Sequence, residues 1–336
     1  MNLREIKQAL KAHFSVNPKG AVFLSGAPGG GKTETIDQIA EEDDRINLDT
    51  RVSSMDQVDV RGLPSKSEKG DTVTWLIPEF LAQLTDRHNL FLDEFNAGQL
   101  STLHSFYGVI QERRLGNWVA PEGLRIIAAG NRETDGCKVQ KLPPALSDRF
   151  LHLDVDFDVE VWSEWAITHG VNPKAIAAAR FQSEIVSNFD PSARTSPTPR
   201  SFVRAARYLD IPDISKHLRD ELIAGQIGQG AADALAAFVD QRLNIDLQDI
   251  IKRPTEAEIY HDLDVRWAIT GSLAEVCKRM GDQAAAVFEP VVTYLRRWDE
   301  PEYLSLFVKH AETVAPAVTQ TAAYQDALID LGTIEN

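Results

Sequence analysis

Gly26-Ala27-Pro28-Gly29-Gly30-Gly31-Lys32-Thr33 is the stretch from which the fold is read. An apolar run, Ala21-Val22-Phe23-Leu24-Ser25, leads into it, and a helical pattern from Thr33 to about Glu42 leads out. Strand, glycine-rich loop and helix in that order form the setting of a phosphate-binding loop. Glycines let backbone N–H groups close around anionic oxygens, and the following helix adds the partial positive charge of its N-terminus. In such a loop Lys32 reaches the β- and γ-phosphates, and the Thr33 hydroxyl holds Mg²⁺.

Working outward, further apolar runs read as strands: Arg45–Asp49, Asn89–Asp93, Leu124–Ala129 and Leu151–Val155. Helical patterns, such as Gln99–Arg113, lie between them. Strands alternating with helices predict an α/β fold, a parallel five-stranded sheet flanked by helices. The stretch between the second and third strands is longer than a crossover needs. Its alternating run Thr72-Val73-Thr74-Trp75-Leu76-Ile77, closed by Pro78, predicts an inserted hairpin at about 61–79. After Asp158 the strand signal fades. Helical segments follow at His217–Ala224, Ala231–Leu243, Val265–Met280, Ala284–Trp298 and Glu302–Glu312, beyond a Pro/Ser/Thr-rich linker from Pro191 to Pro199.

Composition sets the class. With 336 residues, 43% hydrophobic and 25% charged, the chain has material for two ordinary folded domains. A net charge of −15 argues against a standing nucleic-acid surface, which needs a basic patch to release counterions. The start, Met1 to Phe14, reads as an amphipathic helix without the apolar core of a signal peptide, and no run is long enough to span a bilayer. Cys137 and Cys277 are too few for a disulfide framework and read as small, partly or fully buried residues. A cytoplasmic location is expected.

The remaining chemical groups fall where a phosphate site needs them. Asp93 and Glu94 follow an apolar strand, at the edge where open α/β sheets bind ligands. Asp93 is expected to complete the Mg²⁺ shell and Glu94 to polarise the attacking water. Asn131, after the next strand, offers an amide to that water and the γ-phosphate. Arg149, just before the fifth strand, is suited to a neighbouring copy's nucleotide, and the alternative is a surface ion pair with Asp148. Arg200 opens a helix after Pro199 and can report on the γ-phosphate. Trp75 touches a substrate or packs on its partner strand, and Gln111–Trp118 is a pore-facing loop or a solvated turn.

Taken together, these motifs resemble AAA+ ATPases and, within them, the MoxR-like branch with an insert in the second helix. Gly26–Thr33 matches the Walker A motif, Leu90–Glu94 Walker B, Asn131 sensor 1, Arg149 the arginine finger and Arg200 sensor 2. Asp59–Pro64, Leu92–Asn96, Gly130–Asp135 and Thr198–Phe202 are similar to phrases of the same branch, with Phe202 standing where relatives carry Trp. The resemblance covers about residues 15–205. It implies an ATP- and Mg²⁺-dependent hydrolase, a P-loop AAA+ core at 1–157, a helical connection and linker at 158–198, an all-helical lid at 199–247 and a helical C-terminal extension at 248–336. It also implies self-assembly, expected as a hexamer, that remodels or matures a protein substrate with a partner carrying a von Willebrand factor A domain. Two alternatives are a DNA-directed AAA+ motor, such as a helicase loader or restriction-type translocase, and a nucleotide-gated scaffold.

Overall fold

The computed structural model describes residues 1–67, 69–137, 139–242 and 245–332. The chain divides into two units, Met1–Asp158 with Phe189–Ala193, and Val159–Asn188 with Arg194 onward. The first unit is built on strands β1 (Ala21–Gly26), β2 (Ile46–Arg51), β3 (His88–Asp93), β4 (Arg125–Gly130) and β5 (Phe150–Val155). They lie side by side in the order β2-β3-β4-β1-β5, and every neighbouring pair is parallel.

Continuous apolar runs form the central strands because both faces of the sheet are covered. Successive side chains point to opposite sides. Phe23, Leu90, Leu92, Ile126 and Ala128 join Leu103, Phe106 and Ile110 on one face. Val22, Leu24, Phe91, Ile127 and Ala129 meet Ile6, Leu10, Phe14, Ile36 and Ile39 on the other. These last five come from α1 (Leu3–Val16) and α2 (Lys32–Glu42), α1 opening with a capping box between Asn2 and Glu5. Each fully buried Leu or Phe contributes about 2 kcal/mol, so the sheet is held from both sides.

Two elements differ from the sequence pattern. Strand β2 begins after Arg45 and runs on to Arg51, because its pairing with β3 continues to Arg51 opposite Asp93. Arg45 instead donates to Asn89 Oδ1 at 2.8 Å and to the carbonyls of Asp86, His88 and Gly123. The expected helix Gln99–Arg113 is α-helical only over Leu100–Ser105, and a wider π turn follows at Gly108–Glu112. Val109 and Ile110 of that turn are buried, as is Phe106 just before it.

Between β2 and β3, Pro64–Lys66 pairs antiparallel with Val73–Trp75. Trp75 is exposed. A second short hairpin joins Arg114–Leu115 to Trp118–Val119, and Asn117 Nδ2 donates to Thr74 Oγ1 at 2.8 Å.

The second unit is helical. Its longer members include α3 (Val159–Thr168), α4 (Pro173–Phe181), α5 (Pro199–Ala206), α6 (Lys216–Ile227), α7 (Leu263–Met280), α8 (Ala285–Leu295) and α9 (Pro301–Val314). The expected helix Ala231–Leu243 is observed as Gln229–Ala237 followed by a π turn to Arg242, while Leu243 and residues 333–336 lie outside the described residues. Phe202 of α5 is fully buried and meets Trp162 of α3 edge-on at 5.6 Å. Phe288 and Phe307 stack at 5.2 Å between α8 and α9. Among the described residues, no helix is long and apolar enough to cross a membrane.

Candidate functional site

Parallel pairing brings the C-terminal ends of β1, β3 and β4 to one edge, where Gly26, Asp93 and Gly130 end their strands. The loop after β1 closes at Gly31, whose φ of +87° is in the left-handed region. That conformation favours glycine, and an added Cβ there would lie 3.0 Å from Leu3 Cδ1 of α1. Helix α2 then starts directly at Lys32, and the N–H groups of its first turn have no partners within the helix.

Lys32 is 8% exposed. Its ammonium donates to the carbonyls of Gly26 at 2.7 Å and Ala27 at 3.0 Å, and to Asn131 Oδ1 at 3.5 Å. Thr33 Oγ1 donates to Asp93 Oδ2 at 3.2 Å, and Asp93 Oδ1 accepts the N–H of Glu94 at 2.8 Å. Four expected groups from three strand ends are thus joined by hydrogen bonds. Among the described residues no cluster of three or more His, Cys, Asp or Glu is placed to hold a metal. A hydroxyl and a carboxylate side by side nevertheless fit Mg²⁺, which takes few protein oxygens and completes its shell with phosphate oxygens and water.

Comparison with known proteins gives the same reading of this segment. Residues 21–150 match the AAA domain of the dynein-related subfamily. This segment, about two fifths of the chain, is similar to that domain. Midasin of Giardia intestinalis is 25% identical over 175 residues, 49% of this chain and 4% of midasin. An uncharacterised protein of Staphylococcus aureus is 25% identical over 158 residues, 44% of this chain and 59% of that protein. The chain therefore spans less than two thirds of either relative. Among solved structures, the RuvB Holliday junction branch migration motor of Thermotoga maritima aligns at a TM-score of 0.40 and 19% identity, over 99% of this chain and 89% of RuvB. ATP-bound NtrX of Brucella abortus aligns at 0.42 and 13% identity, over 97% of this chain and 67% of NtrX. No role is carried over from either.

In the first unit Glu94 has a φ of +51°, a left-handed conformation that costs a non-glycine residue about 1 kcal/mol. Phe95 offsets this by anchoring the turn in an aromatic cluster, 5.7 Å from Phe106 and 5.6 Å from Phe150. The Glu94 carboxylate accepts a short hydrogen bond from Ser53 Oγ, and its other oxygen lies 3.9 Å from Arg51 Nε. Neither Ser53 nor Arg51 stood out in the sequence. The available signal was their place at the end of the strand beside β3. Asp49, on the same strand, has its carboxyl pushed up by burial and then by the charge of Asp93.

Asn96, two residues beyond Glu94, is buried and donates Nδ2 to the Asn131 carbonyl at 2.8 Å. It ties the loops after β3 and β4 together. Arg149 is engaged by the Ala145 carbonyl, and its guanidinium lies 5.0 Å from the Tyr107 ring centroid. Arg200 belongs to the second unit, where it is the exposed second residue of α5, behind the capping Thr198. Cys277 is buried and its thiol is pushed up to about 12 by burial. Cys137 is half-buried, and burial also raises its thiol. Neither has the lowered thiol of a reactive cysteine.

Proposed function

We propose that the AAA domain binds and hydrolyses Mg²⁺-ATP, and that rings of this chain, expected as hexamers, use the reaction to remodel or mature a partner protein in the cytoplasm. In this reading Gly26, Ala27, Pro28, Gly29, Gly30 and Gly31 wrap the phosphates with backbone N–H groups. Lys32 exchanges its carbonyl partners for β- and γ-phosphate oxygens, and Thr33 and Asp93 hold the cation. When bound, Mg²⁺ neutralises charge that develops on the phosphate oxygens. Glu94 accepts a hydrogen bond from the attacking water and polarises it, while Asn131 orients that water against the γ-phosphate. Arg149 serves the nucleotide of a neighbouring copy, and Arg200 reports the γ-phosphate to the helical unit.

One observation carries the reading: Lys32 and Thr33 hydrogen-bond Asn131 and Asp93, groups 99 and 60 residues away in sequence. That convergence at the C-terminal edge of a parallel sheet is what nucleotide chemistry requires. The remodelling role, with a partner carrying a von Willebrand factor A domain, is supported by the MoxR-like phrases.

The test is complementation in a mixture. Arg149→Ala and Lys32→Ala proteins are each expected to be inactive alone and to regain measurable ATPase activity when combined, because a shared interface joins an intact loop to an intact arginine. Activity of the unmodified chain that stays proportional to concentration down to a demonstrated monomer would sink the shared site. Capture from the native host with Glu94→Gln protein held in ATP would then identify the partner.

A further inference from the structure

Arg132 follows Asn131 beyond the end of β4. Its side chain does not stay there. Nη2 donates to the Val155 carbonyl at 2.6 Å and to Asp156 Oδ1 at 2.5 Å, both at the end of β5. Strand β1 lies between β4 and β5 in the sheet, with Gly26 paired to Val155. The guanidinium therefore spans the end of the strand that carries the glycine loop, a reach of two strand spacings, about 10 Å. The Arg132 N–H donates to Asp135 Oδ2 at 3.2 Å, which folds residues 132–135 into one turn. At the end of that turn Gly136 lies against Pro191, so close that an added Cβ would come within 2.4 Å of Pro191 Cγ.

Both contacts fall where the chain passes between its units. Asp156 precedes the exit after Asp158, and Pro191 lies in Phe189–Ala193, the short return to the first unit. Within Asn131–Gly136, Asn131 thus meets Lys32, Arg132 meets the exit at Asp156, and Gly136 meets the return at Pro191. Two charge-assisted bonds from one guanidinium are stronger and more directional than neutral ones.

We propose that Arg132 is a positioning residue for ATP turnover: it sets the Asn131 amide against Lys32 and couples that amide to the two chain passages at Asp156 and Pro191. The assignment rests on the nucleotide reading above. Arg132 touches no substrate. It acts through Asn131, so its loss lowers the rate of the chemical step while leaving the loop that binds phosphates intact.

The test uses the full chain with Arg132→Ala and Arg132→Lys. For R132A, kcat for Mg²⁺-ATP is expected to fall about 10-fold or more with KM within about threefold, the pattern of an interaction made in the transition state. R132K, with its shorter side chain, falls between R132A and the unmodified protein. In the unmodified protein, adding ATP should change hydrogen exchange in peptides covering 154–160 and 188–194, and in R132A that response should vanish. A kcat within about twofold of the unmodified value overturns the proposal, as does a KM that rises in step with the loss of kcat, since either assigns Arg132 to general structure. If R132A does not fold, R132K is read by the same criteria. Failure of the unmodified chain to bind ADP or turn over ATP would instead overturn the nucleotide reading itself.

Discussion

Two arginines of the helical unit are packed against aromatic rings. Arg266 is 6% exposed, lies 5.2 Å from the Trp298 ring centroid, donates Nε to the Tyr260 carbonyl at 2.5 Å and pairs with Glu300. Arg180 sits 3.9 Å from the Trp267 ring centroid and pairs with Glu160. In the first unit polar groups stand at strand ends, each held by a few hydrogen bonds: Lys32 on loop carbonyls, Glu94 on Ser53, Thr33 on Asp93. Guanidinium groups that bridge helices through ring faces hold a shape. Cations and carboxylates on exchangeable partners at one sheet edge can meet a ligand. Polar groups are thus locked into packing in one unit and left on exchangeable partners in the other.

The largest expected effect is at Glu94. Glu94→Gln should lower ATP turnover about 1,000-fold while ATP binding stays within about threefold, measured by steady-state kinetics and calorimetry. Unimpaired turnover would remove the role assigned to the carboxylate. Lys32→Ala should weaken ATP binding about 100-fold, roughly 2.7 kcal/mol, with little change in Tm. A large fall in Tm with binding preserved would place Lys32 among the structural charges and break the contrast.

In the helical unit the expectation reverses. Arg266→Met removes the bond to Tyr260 and the contact with Trp298, and should cost about 2 kcal/mol, a Tm shift of about 4–8 °C. ADP affinity should not move. Weakened nucleotide binding at a temperature where the variant is fully folded would show that this charge serves more than shape.

The smallest effect concerns His310 of α9, which is buried. Burial, and then the charge of Lys278, lowers its pKa below the ordinary histidine value of 6.5. The folded chain thus keeps this imidazole neutral at pH values where the unfolded chain is protonated. Its contribution to stability is complete above pH 6.5 and falls as the pH drops below it, by at most about 1.4 kcal/mol per pH unit. His310→Gln should reduce the loss of stability between pH 7.5 and 5.5, followed by urea denaturation. An unchanged pH slope would exclude His310 as its source.

Much of the first unit was legible because its signals are local. The loop Gly26–Thr33 announces itself by composition, and the runs at Val22–Leu24, Leu90–Leu92 and Ile126–Ala129 announce a sheet covered on both faces. Asp93, Asn131 and Lys32 could be placed at one edge because parallel strands deliver their ends there. Ser53 and Arg51 were not legible, since they meet Glu94 only through the β2–β3 register, across 41 residues for Ser53. The break at Phe106 was hidden for a related reason: the period of Gln99–Arg113 is helical, and the wider turn is decided by how many apolar side chains the core accepts. Arg266 looked like any surface charge, because a cation buried on aromatic faces leaves no mark in its immediate sequence.

The hairpin between β2 and β3 closes on itself at its base, where Leu76 N–H donates to the Leu63 carbonyl at 2.9 Å. Among the described residues nothing lies within 4 Å of a Cβ added at Gly70, near its tip, although its φ of +72° favours glycine there. A segment whose two ends already meet can be shortened, exchanged or made to carry a dye while the sheet beneath keeps its pairing. It offers a handle from which movements near the sheet edge could be watched without touching the residues clustered there.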